Sequence, residues 1–519
     1  MPQVYVTKNF VKIGRAHSLG YTTVSAQGSS RCFAKGTLVR MADGRLKAVE
    51  DISVGDCLMG IDGISYNTVV STHSGIDSLY IVHQARGIDY TVNSKHILTL
   101  RQTRAKQHKV AIPGYKSAEK RRIELLPFDR ESFYNFEISE FMAQSKNFRC
   151  RYSGFKRNKI QLPEVPLIID PYYLGIWLGD GTAKRWYDIS NTDKEVVDWF
   201  YYYAESLGVH AYAVDNVTHR IKCSVHSNGA GFLTPESKAV RDEFYRLGLI
   251  DNKHVPEKYI YNSYENRLKL LAGLIDTDGC KTKRNTFTIV QKRRCILDAV
   301  EEICHLTGFY TNGVKERIAT MKRKDGSVYM CKVYQIEIND NTFADLQRYT
   351  KLTRRKIDKQ CDRDYYISSI SIEYAGIGEY YGFTLDNSPY FLLRDGTVVH
   401  NSSKTYSIVQ WLVKRCLDNA DTSVSIVRKT FPAIRRSVFR DFVEIMQSWG
   451  LWNDKAMNKS EFVYRFHNGS WIEFFSCENE QKMRGSKRAI LFVNEANELS
   501  FIEWQQLQMR TTEFSILDY

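Results

Sequence analysis

Two short runs in this chain of 519 residues carry groups that could rearrange a peptide backbone. The first, Gln27-Gly-Ser-Ser-Arg-Cys32, ends in a thiol, and the second, Val398-Val-His-Asn-Ser-Ser-Lys-Thr405, places His400 and Asn401 directly before the Ser402 hydroxyl. A thiol can attack the carbonyl ahead of it and exchange an amide for a thioester, and a free Cys with pKa about 8.5 keeps some thiolate near neutrality. A hydroxyl can take over the acyl group as an ester. An asparagine amide can close on its own carbonyl and cut the chain behind it. Lys404-Thr405 carries a different chemistry, the tail of a G-x-x-x-x-G-K-[ST] loop whose backbone N–H groups cradle phosphates. Its glycine head is missing locally. Joining Arg31 to Ser402 supplies it, as Gly28-Ser-Ser-Arg-Ser-Ser-Lys-Thr405. The spacing therefore reads as one phosphate-binding loop split by a segment running from Cys32 to Asn401.

The elements that must position these groups are short. Cys32-Phe-Ala-Lys-Gly-Thr-Leu-Val39, a turn at Asp43-Gly44 and Val49-Glu-Asp-Ile-Ser-Val-Gly-Asp56 alternate apolar strands with Gly/Asp turns. Tyr90-Thr-Val-Asn-Ser-Lys-His96 follows, and Tyr380-Tyr-Gly-Phe-Thr-Leu-Asp386 with Tyr390-Phe391 precedes the closing Val398-Val-His-Asn401. In order and content these blocks resemble an intein, a Hint-type splicing domain. The resemblance implies an all-β, horseshoe-like domain built from residues 32–165, with a basic insertion, and 361–401. It also implies roles: Cys32 as first nucleophile, His96 as donor to the departing nitrogen of the Arg31–Cys32 bond, Ser402 as second nucleophile, and Asn401 cyclising with His400 assisting. No cofactor is expected for this step; orientation alone supplies effective molarities of roughly 10⁵–10⁸ M. The chain departs from the family pattern at Asn93, where T-x-x-H has Thr, and at Pro389, where many members have His. Neither Asn93 nor Asp386 is assigned a role.

Within that segment, Tyr173-Leu-Gly-Ile-Trp-Leu-Gly-Asp-Gly181 and Leu271-Ala-Gly-Leu-Ile-Asp-Thr-Asp-Gly279 repeat one pattern. Each reads as the end of a helix, the first capped by Asp170 with Pro171 at N1, the second by Ser263, and each finishing at a glycine suited to C′. Small residues Gly175, Gly179, Ala272 and Gly273 would let the two helices meet backbone to backbone. The motifs resemble those of LAGLIDADG homing endonucleases, which implies an α+β, pseudo-twofold unit over 166–360. Asp180 and Asp278 would then hold Mg²⁺ for cutting double-stranded DNA. Lys253-His-Val-Pro256 and a helix from Ile296 to Leu306 resemble later blocks of the family. Basic clusters at 281–284, 292–294, 322–324 and 354–356, and the basic, aromatic-rich stretch 101–159, are expected to meet phosphates.

The flanks, 1–31 and 402–519, read as strand, loop and helix. Tyr21–Ala26 leads to the loop head, Ser402–Asp418 is a helix, Ser423–Thr430 a strand, and Arg488-Ala-Ile-Leu-Phe-Val-Asn-Glu-Ala-Asn-Glu498 a Walker B-like strand. With Arg428-Lys-Thr-Phe-Pro432 and Met483-Arg-Gly485 they resemble the ATPase part of a phage terminase large subunit, split and incomplete. Implied are ATP and Mg²⁺ at Gly28, Arg31, Ser403, Lys404 and Thr405, catalysis by Glu495, and partners among packaged DNA, other terminase subunits and the portal. Ser403 replaces the second loop glycine, and Asn494 stands where a metal-binding Asp is usual. A net charge of +14 favours an anionic partner such as DNA. No apolar run spans a bilayer and no signal peptide opens the chain, so the cytoplasm of an infected host cell is expected. The 11 Cys form no C-x-x-C pair, and Cys150, Cys304 and Cys416 read as buried apolar residues. The competing readings are a free-standing homing endonuclease with an inactive processing domain, and an ATPase with an ordinary insertion.

Overall fold

The computed structural model describes residues 8–26, 32–94, 96–104, 107–111, 121–125, 132–157, 159–222, 233–322, 328–340, 343–357, 364–385, 388, 390–400, 404–436, 438–478, 483 and 487–518. Gly28, Arg31, Asp386, Pro389, Asn401, Ser402 and Ser403 lie outside them, as do the side chains of Lys404 and Thr405.

The flanks share one sheet with the long segment still between them. Its seven strands run in the order Thr23–Ala26, Thr511–Asp518, Arg488–Val493, Ser423–Arg428, Trp471–Ser476, Val463–Arg465, Met457–Asn458. The first five are parallel, and the last two are antiparallel additions. Alternation along Arg488–Val493 explains its central place: Ile490 and Phe492 face one apolar cluster, Leu491 and Val493 the other. The helices Lys8–Ser18 and Lys404–Asp418 cover the first face, where Ile13 joins Ile408, Trp411 and Leu412.

The sheets between the flanks are separate: among the described residues, no strand of the segment 32–400 pairs with a flank strand. Phe33–Ala34, immediately after Cys32, pairs on one side with Tyr380–Tyr381 and on the other, through Phe33, with Val92. The strands Tyr66–Gln84 and Ile370–Leu385 run antiparallel along nearly their whole length, so residues from both ends of the segment build one sheet. Tyr390–Leu392 pairs with Val398–His400. The expectation of an all-β unit over 32–165 needs correction. Short helices at Ile138–Met142 and Lys146–Arg149 interrupt the strands, and Ile138 and Phe141 fill the core beneath.

Residues 166–357 form a third body. The helices Pro171–Asp180 and Tyr264–Thr277 cross at its centre, with a three-stranded sheet (188–222) and a five-stranded sheet (279–339) around them. Arg40 ties this body to the hairpin formed by Leu38–Arg40 and Leu46–Ala48: its guanidinium, fully buried, donates to the Glu302 carboxylate and to the carbonyls of Gly44 and Arg394.

Candidate functional site

Cys32 is buried, and its backbone is held at both polar atoms. Its N–H donates to Asn93 Oδ1 at 3.1 Å, and its carbonyl accepts from the Asn93 N–H at 3.1 Å. The turn after Asn93 returns His96 beside Cys32's neighbour. The His96 N–H donates to the Asn93 carbonyl, and its imidazole, fully buried, stands edge-on to the Phe33 ring with centroids 4.8 Å apart. The Phe391 ring packs against Phe33 at 5.6 Å, and His400 lies T-shaped against Tyr390 at 5.1 Å. Aromatic rings thus fasten His96 and the hairpin that carries His400 to the segment that begins at Cys32. The local cause is sequence alternation: in Tyr390–Leu392 and Val398–His400 the paired residues Tyr390 and His400 share a face. Asn93, left without a role by sequence, touches the amide nitrogen at which chain cleavage would occur.

A second group of titratable side chains sits at the feet of the crossing helices. Gly175 and Gly273 let their backbones meet: a methyl group on Gly273 would lie 2.4 Å from the Tyr172 carbonyl, and one on Gly175 2.4 Å from that of Leu270. Asp170 and Ser263 cap the helices as expected. The glycines after the acids do not behave as expected. Gly181 has φ −72°, and Gly279 enters a strand, so neither uses the left-handed region. Side chains are excluded there by space, since a Cβ would meet the carbonyls of Trp177 and Ile275 at 2.5 and 2.4 Å. Gly308, ending the helix Arg294–Thr307 at φ 84°, is the residue that takes the left-handed cap.

Asp180 accepts from Asn191 Nδ2 at 2.6 Å, and Asp278 accepts from the Gln291 amide. Burial, and then the charge of Asp180, push the Asp278 carboxyl up to about 7; burial raises Asp180 as well. Lys253 reaches between the helix ends, its Nζ 3.0 Å from the Leu178 carbonyl, and burial lowers it to about 8. Two desolvated carboxylates, the charge of Asp180 adding to the burial that raises Asp278, offer oxygen ligands that suit a hard divalent cation, while the Lys253 ammonium has no lone pair to give and is no ligand. Among the described residues no group of three or more His, Cys, Asp or Glu is gathered for a metal, so such a cation would complete its shell with water or phosphate oxygens. Asp276, two residues before Asp278, is engaged elsewhere, accepting from Tyr172 Oη at 2.7 Å and from the Lys351 N–H at 2.6 Å. Parts of the basic clusters are engaged internally, Arg354 with Asp193 and Lys281 with the Lys356 carbonyl. Arg101 lies over the Phe155 ring at 4.6 Å.

At the C-terminal edge of the flank sheet, Glu495 follows the strand Arg488–Val493 at φ 54°, a strained conformation for a non-glycine residue. Asn494 is buried and donates to Asp518 Oδ2 at 3.2 Å. Asp518 closes the strand lying between Thr23–Ala26 and Arg488–Val493, a position that sequence reading passed over because only the parallel pairing places it there. Cys150 also departs from expectation: it is exposed at the end of a short surface helix, whereas Cys304 and Cys416 are buried, and burial pushes the Cys416 thiol up to about 12.

Residues 32–162 match the family Hom_end-associated Hint, and residues 397–515 match the family Phage terminase large subunit. The chain is therefore multidomain, combining an intein-type Hint domain with a phage terminase large subunit domain. It is similar to the replicative DNA helicase DnaB of Mycobacterium intracellulare, 25% identical over 60% of this chain and 46% of the helicase. It is also similar to the PBSX phage terminase large subunit of Bacillus subtilis (strain 168), 28% identical over 21% of this chain and 25% of that protein. Among solved structures, the gp41-1 intein aligns at 15% identity and a TM-score of 0.13, over 21% of this chain and 81% of that one. The chain spans less than half the length of the curated relatives described. No helix among the described residues is long and apolar enough to cross a membrane.

Proposed function

We propose that the chain is a terminase precursor from which Cys32–Asn401 removes itself, joining Arg31 to Ser402. The carrying observation is the separation of sheets: among the described residues, flank strands pair with flank strands, and the strands of the segment from Cys32 to His400 pair with one another. The Cys32 thiol attacks the Arg31 carbonyl, the C–N bond breaks, and His96 supplies the proton that the departing nitrogen takes. The Ser402 hydroxyl then displaces the thiolate and holds the acyl group as an ester. The Asn401 amide nitrogen attacks the Asn401 carbonyl, closing a succinimide and releasing the Ser402 amine, with His400 beside the bond. That amine takes the acyl group from its own oxygen, leaving an ordinary peptide bond.

The body 166–360 reads as a LAGLIDADG homing endonuclease, with Asp180 and Asp278 as acids from its two similar helices. Both would hold Mg²⁺, which activates water and stabilises a leaving 3′ oxygen when bound. The helicase alignment covers 314 residues, more than the flanks contain, so it runs into the segment between them; likeness of that segment to part of a differently named protein supports reading it as a mobile element. The joined flanks are read as a DNA-packaging ATPase, working in the infected cytoplasm with DNA, portal and other terminase subunits. Gly28, Arg31, Ser403, Lys404 and Thr405 would hold ATP there, Thr405 would meet Mg²⁺, and Glu495 would act on water.

Intact mass tests the splicing reading. Wild type should yield ligated flanks and free segment, Asn401→Ala only thiol-dependent cleavage at Arg31–Cys32, and Cys32→Ala with Asn401→Ala only precursor. Ligated flanks from the double variant would overturn it.

A further inference from the structure

Asn93 meets the reacting nitrogen through one face of its amide and an acid through the other. The Cys32 N–H donates to Asn93 Oδ1 at 3.1 Å, while Asn93 Nδ2 donates to Asp77 Oδ2 at 3.3 Å. Asp77 is itself fixed: its Oδ2 accepts from Ser94 Oγ at 2.8 Å and its Oδ1 from the Ser78 N–H at 2.7 Å. It belongs to the long strand Tyr66–Gln84, which runs beside Tyr90–Asn93. We propose that Asp77 is a positioning residue for the first acyl transfer, acting through Asn93 on the amide nitrogen of Cys32. This inference rests on the splicing reading above.

An ionised carboxylate only accepts hydrogen bonds, and a backbone N–H only donates. The two neighbours therefore leave Asn93 one orientation, NH₂ toward Asp77 and oxygen toward Cys32. A flipped amide would set oxygen against carboxylate and N–H against N–H. The orientation matters because the Cys32 nitrogen changes during the step. As the Arg31–Cys32 bond breaks, the nitrogen takes a proton, becomes an amine and gains positive charge. An acceptor already in place binds that nitrogen more strongly in the transition state than in the ground state, which is what accelerates a reaction. The Asp77 charge behind the amide increases the negative character of Oδ1 and adds to the same difference. Asn93 is buried, so this dipole is little screened by water.

The test uses the full chain carrying Asn401→Ala, which isolates the first step, and follows thiol-induced cleavage at Arg31–Cys32 by intact mass across pH. Asp77→Ala and Asn93→Ala should each slow cleavage about ten- to a hundredfold, the scale of one hydrogen bond to a charged group. The two together should be no slower than Asn93→Ala alone, because Asp77 acts through that side chain. Asn93→Asp should be slow, since two acids then face each other. Adding Asp77→Asn should rescue it, because the exchanged pair again presents an oxygen to the Cys32 N–H and an NH₂ to its partner. Rescue by exchange is not expected of a residue that only braces the fold. Cleavage indifferent to Asp77→Ala, effects that multiply in the double variant, or no rescue in the exchanged pair would overturn the inference alone. An Asn401→Ala parent inert to thiol would overturn the splicing reading, and this inference with it.

Discussion

His96 is buried edge-on against Phe33, one residue from the proposed nucleophile, and its backbone N–H is held by the Asn93 carbonyl. A general acid in that place acts on one bond only. His96→Ala should slow thiol-induced cleavage at Arg31–Cys32 by about 10²- to 10⁴-fold, while Asn401 cyclisation proceeds in chains already cleaved. Mass spectrometry of the two fragments checks this, and an unaffected first cleavage would remove His96 from the mechanism. The Asp276–Asp278 pair shows how far neighbouring acids can diverge at this scale. Asp276 is satisfied by Tyr172 and the Lys351 N–H, whereas Asp278 faces Asp180 across the helix junction.

The crossing of the two motif helices is an element-scale device. Gly175 and Gly273 remove the side chains that would hold the axes apart, and the close approach is what brings the two terminal acids near each other. Their burial, and then the charge of Asp180 beside Asp278, has a consequence for stability. An acid whose pKa is raised on folding binds its proton more tightly in the native state, so ionising it opposes folding. For Asp278 the penalty is absent below the ordinary carboxylate range, grows as pH rises, and is complete above about 7. A divalent cation shared by the two acids would offset it. Mg²⁺ should therefore raise the melting temperature by about 2–4 °C at pH 8 and by much less at pH 5. Calorimetry of wild type against Asp180→Asn with Asp278→Asn provides the check. An equal shift at both pH values, or one surviving in the double variant, would argue against a shared cation.

At the scale of the whole molecule, the flank sheet is assembled from two sequences that the segment 32–401 separates. Thr23–Ala26 lies parallel to Thr511–Asp518, and the helices Lys8–Ser18 and Lys404–Asp418 share one core. A phosphate loop needs more than neighbouring strands: consecutive N–H groups must converge on one anion at a helix N-terminus. Nucleotide binding should accordingly be absent or weak in splicing-dead precursor and appear in the ligated product, where Lys404→Ala abolishes it without blocking splicing. Equilibrium binding of a fluorescent ATP analogue to both forms is the measurement, and equal affinity would show that the insertion does not interrupt the loop.

The chemistry proposed for this chain rests on residue type and order, which a sequence carries directly. A thiol at one junction, His-Asn-hydroxyl at the other, two repeated helix ends and a loop that closes on removal of the middle are local patterns. Strand alternation in Arg488–Val493 and the caps Asp170 and Ser263 were readable for the same reason, since hydrogen bonding within a few residues sets them. What rests on packing and strand pairing was not. The glycines after Asp180 and Asp278 were expected to serve backbone conformation, but nearby carbonyls simply leave no room for a Cβ. Asp77 reaches Asn93 only because two strands pair, and Asp518 reaches Asn494 only because a parallel strand is laid between two others. Such contacts arise from burial and register, in which each side chain answers to partners on another strand or turn. Tertiary structure alone decided which acids repel, which amide faces the reacting nitrogen, and that host and insert fold as separate sheets.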